Sequence, residues 1–155
     1  MTHVPESIKA FLGGTRIAVA GVSRTASQPA NAIYRRLKDS GYDVFAVNPK
    51  TTVVEGAASY PSLEKVPGPV DGVVIATHPK VAAGVVEQCA DCGISRVWFH
   101  RSFGGGSVSD EALHACDARG IEPIVGGCPL MFCEPIDIGH KCMRWWLQRR
   151  GRVPS

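Results

Sequence analysis

The stretch Arg16-Ile-Ala-Val-Ala-Gly-Val-Ser-Arg-Thr-Ala-Ser-Gln-Pro-Ala-Asn31 decides the fold. It predicts a short apolar strand, a loop that opens at Gly21 and a helix that begins near Pro29. A loop of small residues before a helix N-terminus suits anions, because its amides can approach them and the helix dipole adds partial positive charge. The sequence therefore predicts a nucleotide-binding α/β domain built around this loop.

Strand and helix patterns alternate along the rest of the chain. Further strands are predicted at 43–47, 70–77, 95–99 and 122–125, with a minor strand at 51–55 and a loop at 56–61. The pattern predicts an α/β fold, a single Rossmann-like domain over residues 1–155. Its parallel sheet would have about five strands in the order 3-2-1-4-5, with helices on both faces. A C-terminal helix is predicted from about residue 136.

Composition and charge exclude several partners. The 155 residues are 45% hydrophobic and 20% charged, typical of a globular protein. The sequence contains no run of ~20 apolar residues, which is the length that spans a membrane, and its N-terminus does not resemble a signal peptide. We therefore expect a cytoplasmic protein. Five of the 17 basic residues lie at 141–155, leaving 12 against 14 acidic residues elsewhere. A nucleic-acid partner is therefore not expected either.

The loop departs from the dinucleotide-binding pattern G-x-G-x-x-G, since it keeps Gly21 but has Ser23 second and no third glycine. An NAD site also needs an acidic residue about 20 positions further on, to bind the ribose hydroxyls. Asn48-Pro49-Lys50 takes that place here. A cation in place of a carboxylate favours a phosphorylated adenosine over NAD. An ordinary strand–helix turn and a solvated lysine remain open as alternatives.

A third segment, Ala76-Thr77-His78-Pro79, follows a later strand and is expected to lie opposite Gly21. Thr77 or His78 could cap the following helix and face a ligand at the same time. Pro79 suits the first turn of that helix.

Taken together, the motifs resemble a known family. They are the G-V-S loop with Gln28-Pro-Ala-Asn31, then Gly41-Tyr-Asp-Val-Phe-Ala-Val-Asn-Pro49, Tyr60-Pro-Ser-Leu63, Val70-Asp71 and Trp98. Over residues 16–128 the chain resembles the small stand-alone CoA-binding domains, which are similar in fold to the CoA-binding N-terminal domain of the succinyl-CoA synthetase α subunit. It departs from them at Thr77-His78, where members usually carry Phe-Arg-like residues, and at His100, where they carry Gln.

The resemblance implies a non-catalytic protein that binds coenzyme A or acyl-CoA, and a homodimer is a further expectation. It implies that the Gly21 loop and the helix N-terminus hold the diphosphate, that Lys50 meets a CoA phosphate, and that Thr77 to Pro79 line the nucleotide or pantetheine path. The predicted CoA-binding residues are Gly21, Val22, Ser23, Arg24, Pro29, Ala30, Asn31, Asn48, Pro49, Lys50, Thr77, His78, Pro79, Val81, Trp98 and His100.

Other hypotheses stay open. An NADP-dependent oxidoreductase or nicotinamide redox sensor could use the same crevice, and a CoA-dependent ligase or thiol-redox enzyme could use His78, His100 or Cys128. A thiol-redox or metal protein could use Cys128, Cys133 and Cys142, which with His140 form C-x₄-C-x₆-H-x-C. Against zinc, the H-x-C pair lies on a predicted helix, where residues two apart point in different directions.

Overall fold

The computed structural model describes residues 4–101, 106–132 and 138–151. The elements in chain order are α1 (Glu6–Leu12), β1 (Arg16–Ala20), α2 (Pro29–Asp39), β2 (Asp43–Val47), β3 (Val53–Val54), β4 (Ala57–Tyr60), a 3₁₀ turn (Leu63–Lys65), β5 (Gly72–Ile75), α3 (Pro79–Asp91), β6 (Val97–Phe99), α4 (Asp110–Ala118), β7 (Ile124–Val125), a second 3₁₀ turn (Pro129–Met131) and α5 (Ile138–Arg149). The predicted C-terminal helix is thus described from Ile138 onward.

Within the described residues, seven strands form one sheet in the order β3-β4-β2-β1-β5-β6-β7. All neighbours are parallel except β3 and β4. β1 lies between β2 and β5, because four of its five residues are buried apolar side chains that need cover on both faces. The chain continues on one side of β1 with β2 and on the other with β5, so the strand order reverses there. The predicted Rossmann-like α/β fold is confirmed.

The strand count differs from the prediction at residues 51–61. The predicted minor strand and loop form a hairpin instead, in which Val54 pairs with Ala57 across a turn of Glu55 and Gly56. β4 then continues the parallel sheet next to β2, where Ala46 pairs with Ser59. The prediction of a loop over 56–61 is therefore wrong. β4 takes the third place in the predicted order, and β7 adds a strand at the other edge.

Helices cover both faces of the sheet. One hydrophobic layer joins α1, α2 and α5 to one face, and the other joins α3 and α4 to the opposite face. On α2 the buried side chains include Ala30, Ile33, Tyr34 and Leu37, at helical spacing. No helix in the described parts of the chain is both long and apolar enough to cross a membrane.

Asp71 fixes the start of β1 and provides a test by acid. Its carboxylate accepts hydrogen bonds from the amides of Arg16, 2.9 Å away, and Thr15, 2.8 Å away. These bonds lower the pKa of Asp71 from its ordinary value of 3.8. Since the folded pKa is the lower one, the stability that Asp71 contributes is present above its unfolded pKa and is lost as pH falls through the folded pKa.

We therefore expect the Asp71→Asn variant to be less stable than the wild type at neutral pH and to lose less stability on acidification below about pH 4. The reason is that asparagine keeps an acceptor oxygen but has no charge to titrate. Urea unfolding midpoints measured from neutral to acid pH check this. Parallel acid profiles for the two proteins would contradict it.

Candidate functional site

A cavity of about 870 Å³ opens at the carboxyl ends of β1, β2 and β5, where the strand order reverses. In open α/β sheets this is where ligands bind. The walls come from the segments that follow four strands and from one side of α3. The lining residues are Ala20, Gly21, Ser23, Gln28, Val47, Asn48, Pro49, Lys50, Pro61, Ala76, Thr77, His78, Lys80, Val81, Gly84, Val85 and Gln88.

The charge of the cavity favours an anionic ligand. Lys50 and Lys80 line it, whereas none of the described lining residues is acidic. Two helices also begin at its wall: Gln28 is the N-cap of α2, and His78 is the N-cap of α3. The positive ends of two helix dipoles therefore add to the two ammonium groups.

Gly21 directly follows β1 in a conformation and a space that suit glycine alone. Its φ is +106°, and its amide donates to the carbonyl of Val47, 3.1 Å away. A Cβ built on this residue would lie 2.5 Å from the carbonyl oxygen of Ala76. The loop thus passes directly over the end of β5, because no side chain separates the two backbones.

Asn48 ties the Gly21 loop, which we define as residues 21–28, to the turn that carries Lys50. Its amide nitrogen Nδ2 donates to the carbonyl of Val22, 2.8 Å away, while its Oδ1 accepts from the Lys50 amide, also 2.8 Å away. Both ends of the Asn48 side chain are therefore used within the protein. The result is that Lys50 and Ser23 line the same cavity.

Asn31 holds the loop from the other side. Its side chain is 1% exposed; Oδ1 accepts from the Ser23 amide at 3.0 Å, and Nδ2 donates to the Ser23 carbonyl at 2.7 Å. The main chain of Ser23 is thus engaged with Asn31. Within the described parts of the chain, the amides of Val22 and Arg24 have no such partner.

Two groups on the α3 side face the cavity with different hydrogen-bonding states. His78 caps α3, since its Nδ1 accepts from the Lys80 amide at 3.2 Å, which leaves Nε2 to carry the proton. The hydroxyl of Thr77 is buried and has no partner among the described residues. A buried hydroxyl without a partner is costly, so Thr77 has hydrogen-bonding capacity that a ligand can use.

Half of the predicted binding residues lie at the cavity and half do not. Those that line it are Gly21, Ser23, Asn48, Pro49, Lys50, Thr77, His78 and Val81. The structure places the others outside the lining: Val22, Ala30, Asn31, Trp98 and His100 are buried within the protein, Arg24 and Pro29 are exposed, and Pro79 forms the first turn of α3.

Trp98, one of the predicted CoA-binding residues, lies in the hydrophobic core. It lies in β6 and is 0% exposed, with its ring 5.4 Å from that of Phe11 and 5.9 Å from that of Phe132. Its Nε1 donates to the carbonyl of Gly126, 3.1 Å away. Because side chains alternate along a strand, that of Trp98 points into the hydrophobic layer of α1, α2 and α5 and not toward the ligand cavity.

The cysteine hypotheses find little support in the described residues. Cys128 is buried in the hydrophobic layer of α1, α2 and α5 and does not line the cavity. Burial raises the pKa of the Cys89 thiol to about 12, so the C-x-x-C pair with Cys92 has an inert member. Cys133 and the side chain of His140 lie outside the described residues, and the remaining ones form no cluster suited to a metal.

Sequence reasoning missed the contribution of α3. Lys80, Gly84, Val85 and Gln88 line the cavity in addition to Val81. They follow helical spacing next to the stripe of Ala82, Val86 and Cys89 that α3 buries against the sheet. The signal in the sequence was Gly84, since a mid-helix glycine lowers helix stability and here faces open space.

Comparisons with known proteins place the chain in a family and identify structures of similar fold. A family model described as CoA binding domain matches residues 15–134. The uncharacterised protein YneT of Bacillus subtilis (strain 168) is 26% identical over 113 residues, which cover 73% of this chain and 81% of that protein. A hypothetical protein from Pyrococcus horikoshii OT3 has a structure similar to this one, with a TM-score of 0.72 and 29% identity over 83% of this chain and 93% of its own.

Part of this chain is similar in sequence to one region of a much larger enzyme. The ADP-forming acetate–CoA ligase II of Archaeoglobus fulgidus is 35% identical over 80 residues, which are 50% of this chain but 12% of the ligase. The similarity therefore concerns one region of that enzyme, and its activity as a whole does not transfer.

Proposed function

This chain belongs to the CoA-binding domain family, and from that premise we propose that it binds coenzyme A or acyl-CoA in the cavity without catalysing a reaction. The diphosphate lies on the Gly21 loop and the N-terminus of α2. Lys50 pairs with the phosphate on the ribose, and Thr77 to Val81 border the rest of the ligand. The observation that carries the proposal is a cavity at the strand reversal whose described lining has two lysines and no acid.

The same lining disfavours NAD as the ligand, whereas the ribose phosphate of NADP would suit Lys50 as that of CoA does, so titration with NADPH separates these two. An NAD site needs a carboxylate at the end of β2 to accept from the ribose hydroxyls. Asn48 occupies that position, and its carboxamide is already bonded to Val22 and Lys50. Lys50 adds a positive charge next to it, which suits a phosphate in that position.

The absence of catalysis is a proposal from the chemistry of the lining. Among its described members the titratable groups are the two lysines and His78, and His78 has one ring nitrogen engaged as a helix cap. No described nucleophile with an adjacent base lines the cavity, which is the arrangement that covalent catalysis uses. Binding alone therefore accounts for the residues present.

Calorimetric titration with CoA, acetyl-CoA, NADH and NADPH tests the proposal. We expect the Lys50→Ala variant to bind CoA about 10- to 150-fold more weakly, because a charge-assisted hydrogen bond to phosphate contributes roughly 1.5–3 kcal/mol. Dephospho-CoA lacks the ribose phosphate, so its affinity for the Lys50→Ala variant should be close to its affinity for the wild type. Lys65→Ala is the matched control, since Lys65 is exposed and outside the cavity.

Binding of NADPH in the absence of CoA binding would overturn the proposed function. An equal loss of affinity for CoA and dephospho-CoA in Lys50→Ala would move Lys50 from the ribose phosphate to the diphosphate. Native mass spectrometry of freshly purified protein adds an independent view, since a retained ligand identifies itself by mass.

A further inference from the structure

The tip of the β3–β4 hairpin reaches the Gly21 loop through one side chain. Glu55 Oε1 accepts a hydrogen bond from Asn31 Nδ2 at 2.8 Å and from Arg35 Nη1 at 2.6 Å. The Glu55 side chain is only 16% exposed. The same nitrogen of Arg35 also donates to the carbonyl of Ala26, at 3.1 Å. Glu55 is thus linked to the loop at two points, Ser23 through Asn31 and Ala26 through Arg35.

The carboxylate fixes the orientation of the Asn31 side chain. A carboxylate only accepts hydrogen bonds, so it draws the amide nitrogen of Asn31 toward itself. That leaves Oδ1 for the amide of Ser23, while Nδ2 also meets the Ser23 carbonyl. In the flipped orientation Oδ1 would face both the Glu55 carboxylate and the Ser23 carbonyl. Glu55 and the Ser23 peptide therefore select the same orientation.

The backbone of Glu55 has an unfavourable conformation for its residue type. Its φ is +51°, and it is the only non-glycine residue with a positive φ in the described ranges. Residues other than glycine, asparagine and aspartate adopt this region rarely, and such strain tends to occur near functional sites. Gly56 beside it also has a positive φ, +72°, so this hairpin turn needs left-handed residues. A carboxylate at such a position needs a reason other than the turn.

We propose that Glu55 is a positioning residue for the Gly21 loop, which it holds through Asn31 and Arg35 in the conformation that binds the ligand's diphosphate. The inference rests on the proposed function for the identity of the ligand. Its effect is preorganisation: a loop ordered before binding loses less conformational entropy when the ligand arrives. Arg35 balances the charge of Glu55, so the carboxylate can lie near an anion site without repelling the ligand.

Three variants test the role of Glu55. Glu55→Gly removes the carboxylate and suits the positive φ, so the turn is preserved while the link to the loop is lost. Glu55→Gln keeps an acceptor oxygen for Asn31 and should restore most of the effect. Gly56→Asn is the matched control, since asparagine tolerates a positive φ, a Cβ there meets open space, and Glu55 is untouched.

The first readout needs no ligand. Hydrogen exchange of the Ser23 amide, measured by NMR, should become about tenfold faster in Glu55→Gly, because Asn31 then protects it less. The Gly21 amide, bonded to Val47, should exchange as before and serves as the internal reference. The second readout is calorimetry, in which Glu55→Gly should bind CoA about tenfold more weakly at a similar melting temperature.

The outcomes separate the two proposals. Unchanged exchange of the Ser23 amide in Glu55→Gly overturns the positioning role whatever the ligand is. Faster exchange with unchanged CoA affinity shows that the link is structural only, and also overturns it. If the wild type binds no CoA, the proposed function fails, and the positioning of a CoA site fails with it even where exchange changes. Equal effects of Glu55→Gly and Gly56→Asn would assign the change to the turn.

Discussion

Replacing Gly21 by alanine is expected to abolish CoA binding and to destabilise the protein by about 3 kcal/mol. The added Cβ would lie 2.5 Å from the Ala76 carbonyl oxygen, and the backbone would keep a φ of +106° that alanine disfavours. The three nearest atoms, the carbonyl oxygen and carbon of Ala76 and the nitrogen of Thr77, all belong to the backbone and cannot turn away. The loop must therefore shift away from β5, which opens the cavity at the point where the diphosphate lies. Urea unfolding and calorimetric titration with CoA measure the two effects.

Gly41→Ala separates the clash from the backbone strain. Gly41 also has a positive φ, +92°, but a Cβ there meets nothing within 4 Å, and the residue follows α2 outside the cavity. We expect this variant to lose about 1 kcal/mol of stability and to bind CoA as the wild type does. A Gly21→Ala protein that binds CoA with wild-type affinity would refute the placement of the ligand on this loop.

The elements that sequence alone predicts are those determined by local patterns. β1 is a run of apolar residues that a central strand requires, and α2 has an apolar stripe with a glycine, Gly41, just beyond its end. Gly21 was singled out because a loop of small residues lets backbone amides approach an anion, and in the structure its φ is +106°. These signals depend on neighbours along the chain, so they survive without knowledge of the fold.

The parts that sequence could not predict depend on distant partners. Ala57-Ala-Ser-Tyr60 has no strong strand pattern and becomes β4 because the edge of β2 offers hydrogen bonds. Asn31 and Asn48 have the side chains of ligand contacts, but the structure uses their hydrogen bonds to hold the loop. Tertiary contacts decide whether a polar side chain contacts the ligand or forms hydrogen bonds within the protein, and a single sequence does not record those contacts.

Trp98→Ala is expected to cost 3–5 kcal/mol of stability, roughly the range for removing a buried aromatic side chain. The large effect follows from its full burial against Phe11 and Phe132 and from its hydrogen bond to Gly126. Trp145→Ala is the matched control, because that ring is 53% exposed and its contact is with Arg149, 4.2 Å from the ring centroid. It should cost under about 1 kcal/mol. Chemical denaturation of both variants measures the difference.

A second substitution at Trp98 distinguishes a core residue from a ligand contact. Trp98→Phe keeps an aromatic ring in the core and loses the donor to Gly126, so it should fold with a loss of roughly 1–2 kcal/mol even if Trp98→Ala does not fold. Since Trp98 does not line the cavity, the CoA affinity of the Phe variant should equal that of the wild type. Weaker CoA binding at unchanged stability would show that Trp98 contacts the ligand. Lower stability at unchanged affinity assigns it to the core, where its effect on function is indirect: it holds β6 beside β5, the strand whose end the Gly21 loop crosses.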